Sequence, residues 1–362
     1  MGFGDVRENF IVVSNGKLDR DGHPVLVLVK KSAFTRDEVI GCRQLLYAGG
    51  NLQELYSPWF RQDNDVIVPE DLIWARPDWY TFGELIESPQ PAGFVAHYPY
   101  DISPVHDDAP FFFFTFKTSQ LFHQILHPGE QGIDWKVNLG VAVLFMLLTI
   151  SLLAVAAFLI LPLAFHAPAR GIKILPLFYF VAVGLGYILV EITFIQRLVL
   201  FLGHPTYALT VVVFLLLLSS GAGSLAARRW MGAPGWSQRV LLPLLLIVSA
   251  LALYIPLLPR LLSAEVGLPF VAKLLISAAL LAPLGFAMGM PFPTGLRALE
   301  RIGSSSVEWA WAMNAASSVL GSVLAIVIAV HFGLAATLAC GAGAYLAAAL
   351  LTRSFQPQAL TT

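Results

Sequence analysis

The stretch WAWAMNAASSVLGSVLAIVIAVHFGLAATLACGAGAYLAAALLT, Trp309–Thr352, contains no Asp, Glu, Lys or Arg. A helix needs about 20 predominantly apolar residues to cross the hydrocarbon core of a membrane. Two such segments lie here, Trp309–Val330 and Leu334–Thr352, and only His-Phe-Gly separates them. The sequence therefore predicts a tight hairpin of two membrane-spanning helices.

Five further segments have the same apolar character. They are Val137–Leu163, Ile174–Gln196, Pro205–Ala227, Val240–Leu262 and Val266–Met290. Helices of soluble proteins carry a polar stripe on their outer face, and these segments have none. The predicted fold class is therefore mainly α, a polytopic membrane bundle of about seven spans over residues 137–352, followed by a tail, 353–362.

The charged residues divide the chain into two regimes. Charged side chains make up 12% of the chain, against about 25% in ordinary soluble proteins. Residues 1–136 hold 11 Lys and Arg against 19 Asp and Glu, whereas residues 137–362 hold 11 Lys and Arg against 4 Glu. An acidic, water-soluble segment thus precedes a lipid-soluble one. The expected partner is the lipid bilayer, and no nucleic acid is expected.

The basic residues of the short loops predict an orientation. Cytoplasmic loops carry an excess of Lys and Arg. One set of loops carries most of these residues: Arg170, Lys173, Arg228, Arg229, Arg239, Arg297, Arg301 and Arg353. The opposite loops carry only Arg197 and Arg260. This count places residues 1–136 outside the cytoplasm.

The segment before the spans reads as a small α/β unit over residues 1–104. Asn9–Gly16 and Pro24–Lys31 are rich in β-branched residues and predict an antiparallel hairpin. Thr35 and Glu38 form the capping box that starts a helix ending at Gly49-Gly50. The stretch Ser57–Pro104 is rich in Pro, Tyr and Trp and reads as irregular, and residues 105–136 form a membrane-proximal junction.

Three stretches resemble the membrane-embedded spermidine synthase-like family, whose members are similar to polyamine aminopropyltransferases. They are YILVEITFIQRLVLFLGHPTYALTVVVFLLLLSSGAGSLAARR (Tyr187–Arg229), GFAMGMPFPTGLRAL (Gly285–Leu299) and WAWAMNAASSVLGSVLA (Trp309–Ala325). HDDAPFFF, which begins at His106, resembles the family's junction TDDRPFF, with Ala109 where Arg is usual. The resemblance implies a Rossmann-like methyltransferase-fold domain, of which residues 9–49 are the closing remnant, before a block of membrane helices in a bacterial inner membrane.

The same resemblance implies a transferase that uses decarboxylated S-adenosylmethionine or S-adenosylmethionine and a polyamine-like substrate. However, residues 1–136 lack the Gly-rich strand–turn–helix that lets backbone approach such a cofactor, and they lack the family's acidic catalytic loop. We therefore expect no cofactor to bind this chain and expect the upstream half of the same protein as a partner. The alternatives are a small-cation or amine transporter of the major-facilitator type, or a non-catalytic membrane anchor.

Five polar residues are candidates for a site within or at the ends of the spans: Glu191, Gln196, Arg197, His204 and Asn314. Charges within spans are costly and usually face a partner or a cavity. Glu191 therefore predicts either a cation or proton site, or a structural ion pair with Arg197 or a basic residue of another span. Lys273 is one such residue, although its long stem also suits the membrane interface.

The break MGMPFPTG, Met288–Gly295, is a second candidate, because interrupted helices mark binding sites in transporters. GAGSLA, Gly221–Ala226, matches a dinucleotide-binding pattern but lies in an apolar span. We interpret its small residues as a surface for close helix packing.

Asp107 and Asp108 are the junction acids, next to a run of phenylalanines. Adjacent side chains on an extended chain point opposite ways, which disfavours a shared-proton pair. We interpret them as junction residues that cap backbone N–H groups or pair with a basic residue, with polyamine binding as the alternative. His106, His123 and His127 suggest a metal only weakly, because the spacing does not match H-E-x-x-H.

Overall fold

The computed structural model describes residues 6–15, 25–48, 52–58, 85, 90–98, 101–111, 114, 117, 139–161, 165, 174–230, 236–300 and 305–355. The chain divides into two compact units. The first comprises Met1–Pro104 and Phe113–Leu139, and the second comprises Val105–Phe112 and Gly140–Thr362. The junction acids therefore belong to the second, helical unit.

The first unit contains a small antiparallel sheet. Strand β1 (Phe10–Asn15) lies between β2 (Val25–Val29) and β3 (Leu52–Tyr56), and it pairs antiparallel with both. The β1–β2 pairing confirms the predicted hairpin. A Rossmann-like domain is built on a parallel sheet, whereas every described strand pair here is antiparallel. The predicted Rossmann remnant is therefore not supported.

A capped helix packs on this sheet. Helix α1 (Arg36–Ala48) buries Val39 against Ile11 and Val13 of β1. The Thr35 N–H donates to Glu38 Oε2 at 2.8 Å, and the Glu38 N–H donates to Thr35 Oγ1 at 3.4 Å. These two bonds confirm the capping box. Hydrogen bonds from Lys30 and from the Thr35 N–H hold the pKa of Glu38 below its usual value. A short helix, α2 (Pro91–His97), follows β3.

The described part of the helical unit contains seven further helices. They are α3 (Leu139–Val155), α4 (Leu175–Leu202), α5 (Pro205–Trp230), α6 (Trp236–Ala264), α7 (Phe270–Met288), α8 (Pro291–Glu300) and α9 (Ser305–Leu351), with one turn of π-helix at Ala156–Ile160 after α3. A single 3₁₀ turn, Thr352–Phe355, closes the described chain.

Five of the described helical stretches are long and apolar enough to cross a membrane, as a multi-pass membrane protein requires. They are Leu175–Leu202, Pro205–Arg229, Arg239–Ala264, Phe270–Glu300 and Ser306–Phe355. The predicted count of seven is not supported, for two reasons. Helix α3 has 17 residues before its backbone changes to π-helical geometry, and the last two predicted spans lie in one helical stretch, α9, that bends at Gly333 and is counted once.

Helix α9 reverses direction at Gly333. This glycine has φ 87° and ψ 166°, a conformation that L side chains rarely adopt. It divides α9 into a first arm, residues 305–332, and a second arm, residues 334–351. The first arm runs parallel to α4 and the second runs antiparallel to it, as the paired contacts show: Gly184 with Ser317, Ile188 with Gly321, Gly186 with Tyr345, and Val190 with Gly341. The His-Phe-Gly turn thus forms the predicted hairpin.

The helical unit has two distinct ends. Arg228 and Arg229 finish α5, Arg239 begins the apolar part of α6, and Arg297 Nη1 donates to the Ala227 carbonyl at 3.2 Å. Because α5 and α6 are joined by residues 231–235, all four arginines lie at one end, the basic end. The opposite end, where α4 meets α5 and α9 reverses at Gly333, is the junction end.

Helices α5 and α7 cross at backbone contact. A Cβ on Gly223 would overlap the carbonyl of Phe286, and a Cβ on Gly289 would overlap the carbonyl of Ser220. Gly285 and Gly289 form a G-x-x-x-G pair opposite small residues of α5, an arrangement that lets helices pack closely in lipid. GAGSLA therefore lies on a helix-packing surface, which agrees with its interpretation from sequence.

Candidate functional site

The junction segment carries a carboxylate that binds the turn of α9. His106–Ala109 form a tight turn, closed by the Ala109 N–H donating to the His106 carbonyl at 2.9 Å. This turn presents Asp108, whose carbonyl accepts the Leu334 N–H at 2.7 Å and whose Oδ1 accepts the Ala335 N–H at 2.9 Å. Asp108 therefore caps the N-terminus of the second arm, where a negative charge also complements the helix dipole.

The same carboxylate pairs with Arg197 near the end of α4. Arg197 Nη2 donates to Asp108 Oδ1. The Arg197 side chain is 3% exposed and that of Asp108 is 41% exposed. A buried guanidinium without a counter-ion is strongly unfavourable, so Asp108 provides the charge that Arg197 requires. We call Asp108, Arg197 and Gly333 the junction clamp.

Gly333 makes the clamp sterically possible. A Cβ at this position would overlap Asp108 Oδ2, so any side chain there would displace the carboxylate. The clamp thus joins three distant parts of the sequence: the 105–112 segment, the end of α4 and the turn of α9. Asp107, next in the chain, is exposed and lies outside it.

A second polar cluster lies in the middle of α4. Glu191 is about 16 Å from the C-terminal end of α4 at 1.5 Å per residue. It is half-buried and makes no hydrogen bond or ion pair with another described residue. The Tyr187 side chain, one turn away, interacts with Glu191 and with Ser220 of α5. We call Tyr187, Glu191, Ser220 and Tyr345 the polar cluster.

Tyr345 of the second arm completes the polar cluster. Its ring lies 2.9 Å from the Cβ position of Gly186, and its side chain interacts electrostatically with Tyr187. The residue is fully buried, and within the described part of the chain its Oη has no hydrogen-bond partner. Buried hydroxyls normally have one, so this hydroxyl is available to a ligand or a water molecule.

The other predicted residues occupy separate positions. Gln196 is half-buried and precedes Arg197. His204 is exposed at the junction end, where its Nδ1 accepts the Thr206 N–H at 3.2 Å. The backbone carbonyl of Asn314 accepts the Ser317 hydroxyl at 2.8 Å, and its side chain faces Gly184. Among the described residues, Glu191, His204 and Asn314 make no hydrogen bond with one another.

Lys273 and Arg197 are not the partners of Glu191. Lys273 lies in the first turn of α7, with its Nζ 5.4 Å from the centroid of the Phe201 ring, which is a cation–π contact near a helix end. Arg197 binds Asp108 instead. The structural ion pair that the sequence offered as an explanation for Glu191 is therefore absent from the described part of the chain.

The break between α7 and α8 is filled by packing. Helix α7 ends at Met288 and α8 begins at Pro291, so the interruption predicted from sequence is present. The Tyr179 hydroxyl donates to the Pro291 carbonyl at 2.9 Å, and Gly295 lies against the Tyr179 ring. Neighbouring side chains thus satisfy and cover this backbone, as happens at helix breaks that are structural.

Neither a Gly-rich strand–turn–helix nor a cluster of metal-ligating side chains occurs among the described residues. In the first unit, the next described strand after β1 is antiparallel to it, whereas a cofactor loop needs a strand, a Gly-rich turn and a helix. No group of three or more metal-ligating side chains lies together among the described residues. His123 and His127 lie outside the described residues.

Sequence reasoning missed Gly333 and the aromatic members of the polar cluster. Gly333 was visible as the only glycine in the three-residue link of the predicted hairpin. Tyr187 was visible four residues before Glu191, on the same helical face. Tyr345 had no local signal, because its position follows from the reversal of α9.

Comparison of the chain with protein-family models, with characterised proteins and with solved structures finds no match.

Proposed function

We propose that the chain is the membrane-spanning part of a spermidine synthase-like protein in a bacterial inner membrane, and that its helical unit binds a small organic cation of the polyamine type. The sequence resemblance supports the family. The three resembling stretches also supply the surfaces along which α4, α5, α7 and α9 contact one another. In that family, aminopropyl transfer depends on a Gly-rich cofactor loop and an acidic catalytic loop, and residues 1–136 match neither motif.

Glu191 is the observation that carries the cation-binding proposal. A carboxylate near the middle of an apolar helix is costly unless it is protonated or faces a cation. The described residues offer it no basic partner. Tyr187 of the polar cluster instead interacts with it, and Tyr187 interacts in turn with Ser220 and Tyr345. Hydroxyls can accept hydrogen bonds from an ammonium group, and the faces of Tyr rings attract cations.

A binding experiment on the purified full-length chain tests the proposal. We expect radiolabelled putrescine or spermidine to bind the wild-type chain, and Glu191→Gln to weaken binding by about tenfold or more, because it removes a half-buried counter-charge at constant shape. Glu308→Gln is the matched control, since Glu308 is exposed in the first turn of α9. Equal binding by wild type and Glu191→Gln, or no binding by the wild type, would reject the cation site.

A further inference from the structure

A large apolar groove lies between α6 and α7. Its volume is about 730 Å³, and its walls include Leu246 and Ala250 of α6 and Phe286 of α7. Leu246 is 55% exposed and Phe286 is 37% exposed, so the groove is open sideways, toward the surroundings of the helices. Tyr254 also lines the groove, and its hydroxyl donates to the Leu280 carbonyl at 2.9 Å. For a membrane protein, such a lateral opening faces lipid.

One end of the groove is cationic. Among the described lining residues Arg239 alone is charged, and it lies at the basic end of the helical unit together with Arg228, Arg229 and Arg297. The walls are otherwise almost entirely apolar. A ligand that matches this surface has a negatively charged head and a long apolar chain.

The groove is long enough to hold an acyl chain that spans one leaflet of a membrane, since its α6 lining runs from Arg239 to Tyr254, about 22 Å at 1.5 Å per residue. Arg239 and Ala250 are separated by about 16 Å along α6, at 1.5 Å per residue. Half of the hydrocarbon core is about 15 Å thick. An acyl chain that begins beside Arg239 and reaches the middle of the bilayer would therefore end near Ala250, within the groove.

We propose that this groove is a binding site for an anionic phospholipid of the leaflet at the basic end. One acyl chain lies between α6 and α7, and the phosphate lies against Arg239. The lateral opening lets the second chain remain in the bilayer. Basic pockets between membrane helices bind anionic headgroups by the same combination of charge and apolar contact. This site is separate from the polar cluster.

Native mass spectrometry of the full-length chain tests the site, with phosphatidylglycerol and phosphatidylcholine of identical acyl chains as probes. We expect the wild-type chain to retain phosphatidylglycerol about fivefold more strongly than phosphatidylcholine. Arg239→Gln should remove this preference. Arg260→Gln should keep it, because Arg260 is an exposed arginine near the opposite end of the same helix.

A second pair of variants tests the groove itself. Ala250→Trp fills it and should reduce the retention of both lipids. If Ala250→Trp does not purify as a monodisperse protein, the lipid preferences of Arg239→Gln and its control Arg260→Gln test the proposal without it. Unchanged lipid preference in Arg239→Gln overturns the proposal. Disulfide-linked dimers of Leu246→Cys in a chain carrying Cys42→Ser and Cys340→Ser also overturn it, because a second copy would then occupy the groove.

Discussion

Arg197 carries a buried positive charge in the helical unit, and this charge needs a counter-ion. Its side chain is almost fully buried, and in the described part of the chain its Nε has no hydrogen-bond partner. Only the contact through Nη2 to Asp108 compensates its charge there. The position of the 105–112 segment is therefore coupled to the stability of α4, although Asp108 and Arg197 are 89 residues apart in sequence.

We predict that Asp108→Asn destabilises the helical unit by about 3 kcal/mol, because it leaves a buried guanidinium without a counter-ion. Partial exposure of Asp108 places the effect at the lower end of the range for buried ion pairs. Asn keeps an oxygen that can accept the Ala335 N–H, so the variant isolates the charge. Thermal unfolding of the purified chain in detergent measures the effect.

Two further variants make this prediction specific. Asp107→Asn should change stability by less than about 0.5 kcal/mol, because Asp107 is exposed and outside the clamp. In a double-mutant cycle, Asp108→Asn and Arg197→Gln should be non-additive by about 1–3 kcal/mol. Additive losses would show that the two side chains act independently. A loss of polyamine binding by a stable Asp108→Asn variant would instead return the junction acids to the role of a ligand site.

At the scale of helices, two glycines that look equivalent in the sequence have different surroundings where α5 and α7 cross. Gly221 and Gly223 both belong to GAGSLA. A Cβ on Gly221 meets nothing within 4 Å, whereas a Cβ on Gly223 would overlap the Phe286 carbonyl. Backbone atoms cannot move aside as a flexible side chain can.

We therefore expect Gly223→Ala to destabilise the helical unit by about 2–3 kcal/mol, the upper part of the range of about 1–3 kcal/mol for overpacked positions. Gly221→Ala is the matched control and should be neutral or stabilising, since Ala has a helix propensity about 1 kcal/mol better than Gly. Both are measured by thermal unfolding in the same detergent. Similar losses in the two variants would contradict the crossing geometry.

The sequence predicted the elements better than it predicted the site. Apolar length alone located α4–α7 and the hairpin of α9, and the capping box located α1, because these signals are local. The count of spans is not supported at α3, where the described helix changes to π-helical geometry after Val155. The partners of Arg197 and Glu191 depend on which helices are neighbours, and a single sequence does not contain that information. Asp108 could be predicted as a cap or an ion-pair partner, but Ala335 and Arg197 could not be named.

For the whole molecule, the distribution of arginines predicts the orientation of the helical unit. Among the described residues, the basic end carries Arg228, Arg229, Arg239 and Arg297, whereas the junction end carries Arg260, Lys273 and the buried Arg197. Lys and Arg accumulate on the cytoplasmic side. We therefore expect the basic end to face the cytoplasm and the junction end, with Asp108, to face away from it.

Cysteine labelling in intact cells tests this orientation, in a chain carrying Cys42→Ser and Cys340→Ser. Gly267→Cys lies in the link between α6 and α7 at the junction end, where a side chain meets no neighbour within 4 Å. Glu300→Cys lies at the exposed end of α8, on the basic side. A membrane-impermeant maleimide should label Gly267→Cys in intact cells and Glu300→Cys only after permeabilisation. The reverse pattern would show that the arginine count misleads.

That reverse pattern would also place residues 105–112 on the cytosolic side, where a domain using S-adenosylmethionine must lie. The labelling result therefore tests the proposed family as well as the topology. The expected pattern is compatible with a cation site in the helical unit, but it places residues 105–112 outside the cytosol, where aminopropyl transfer would lack its cofactor.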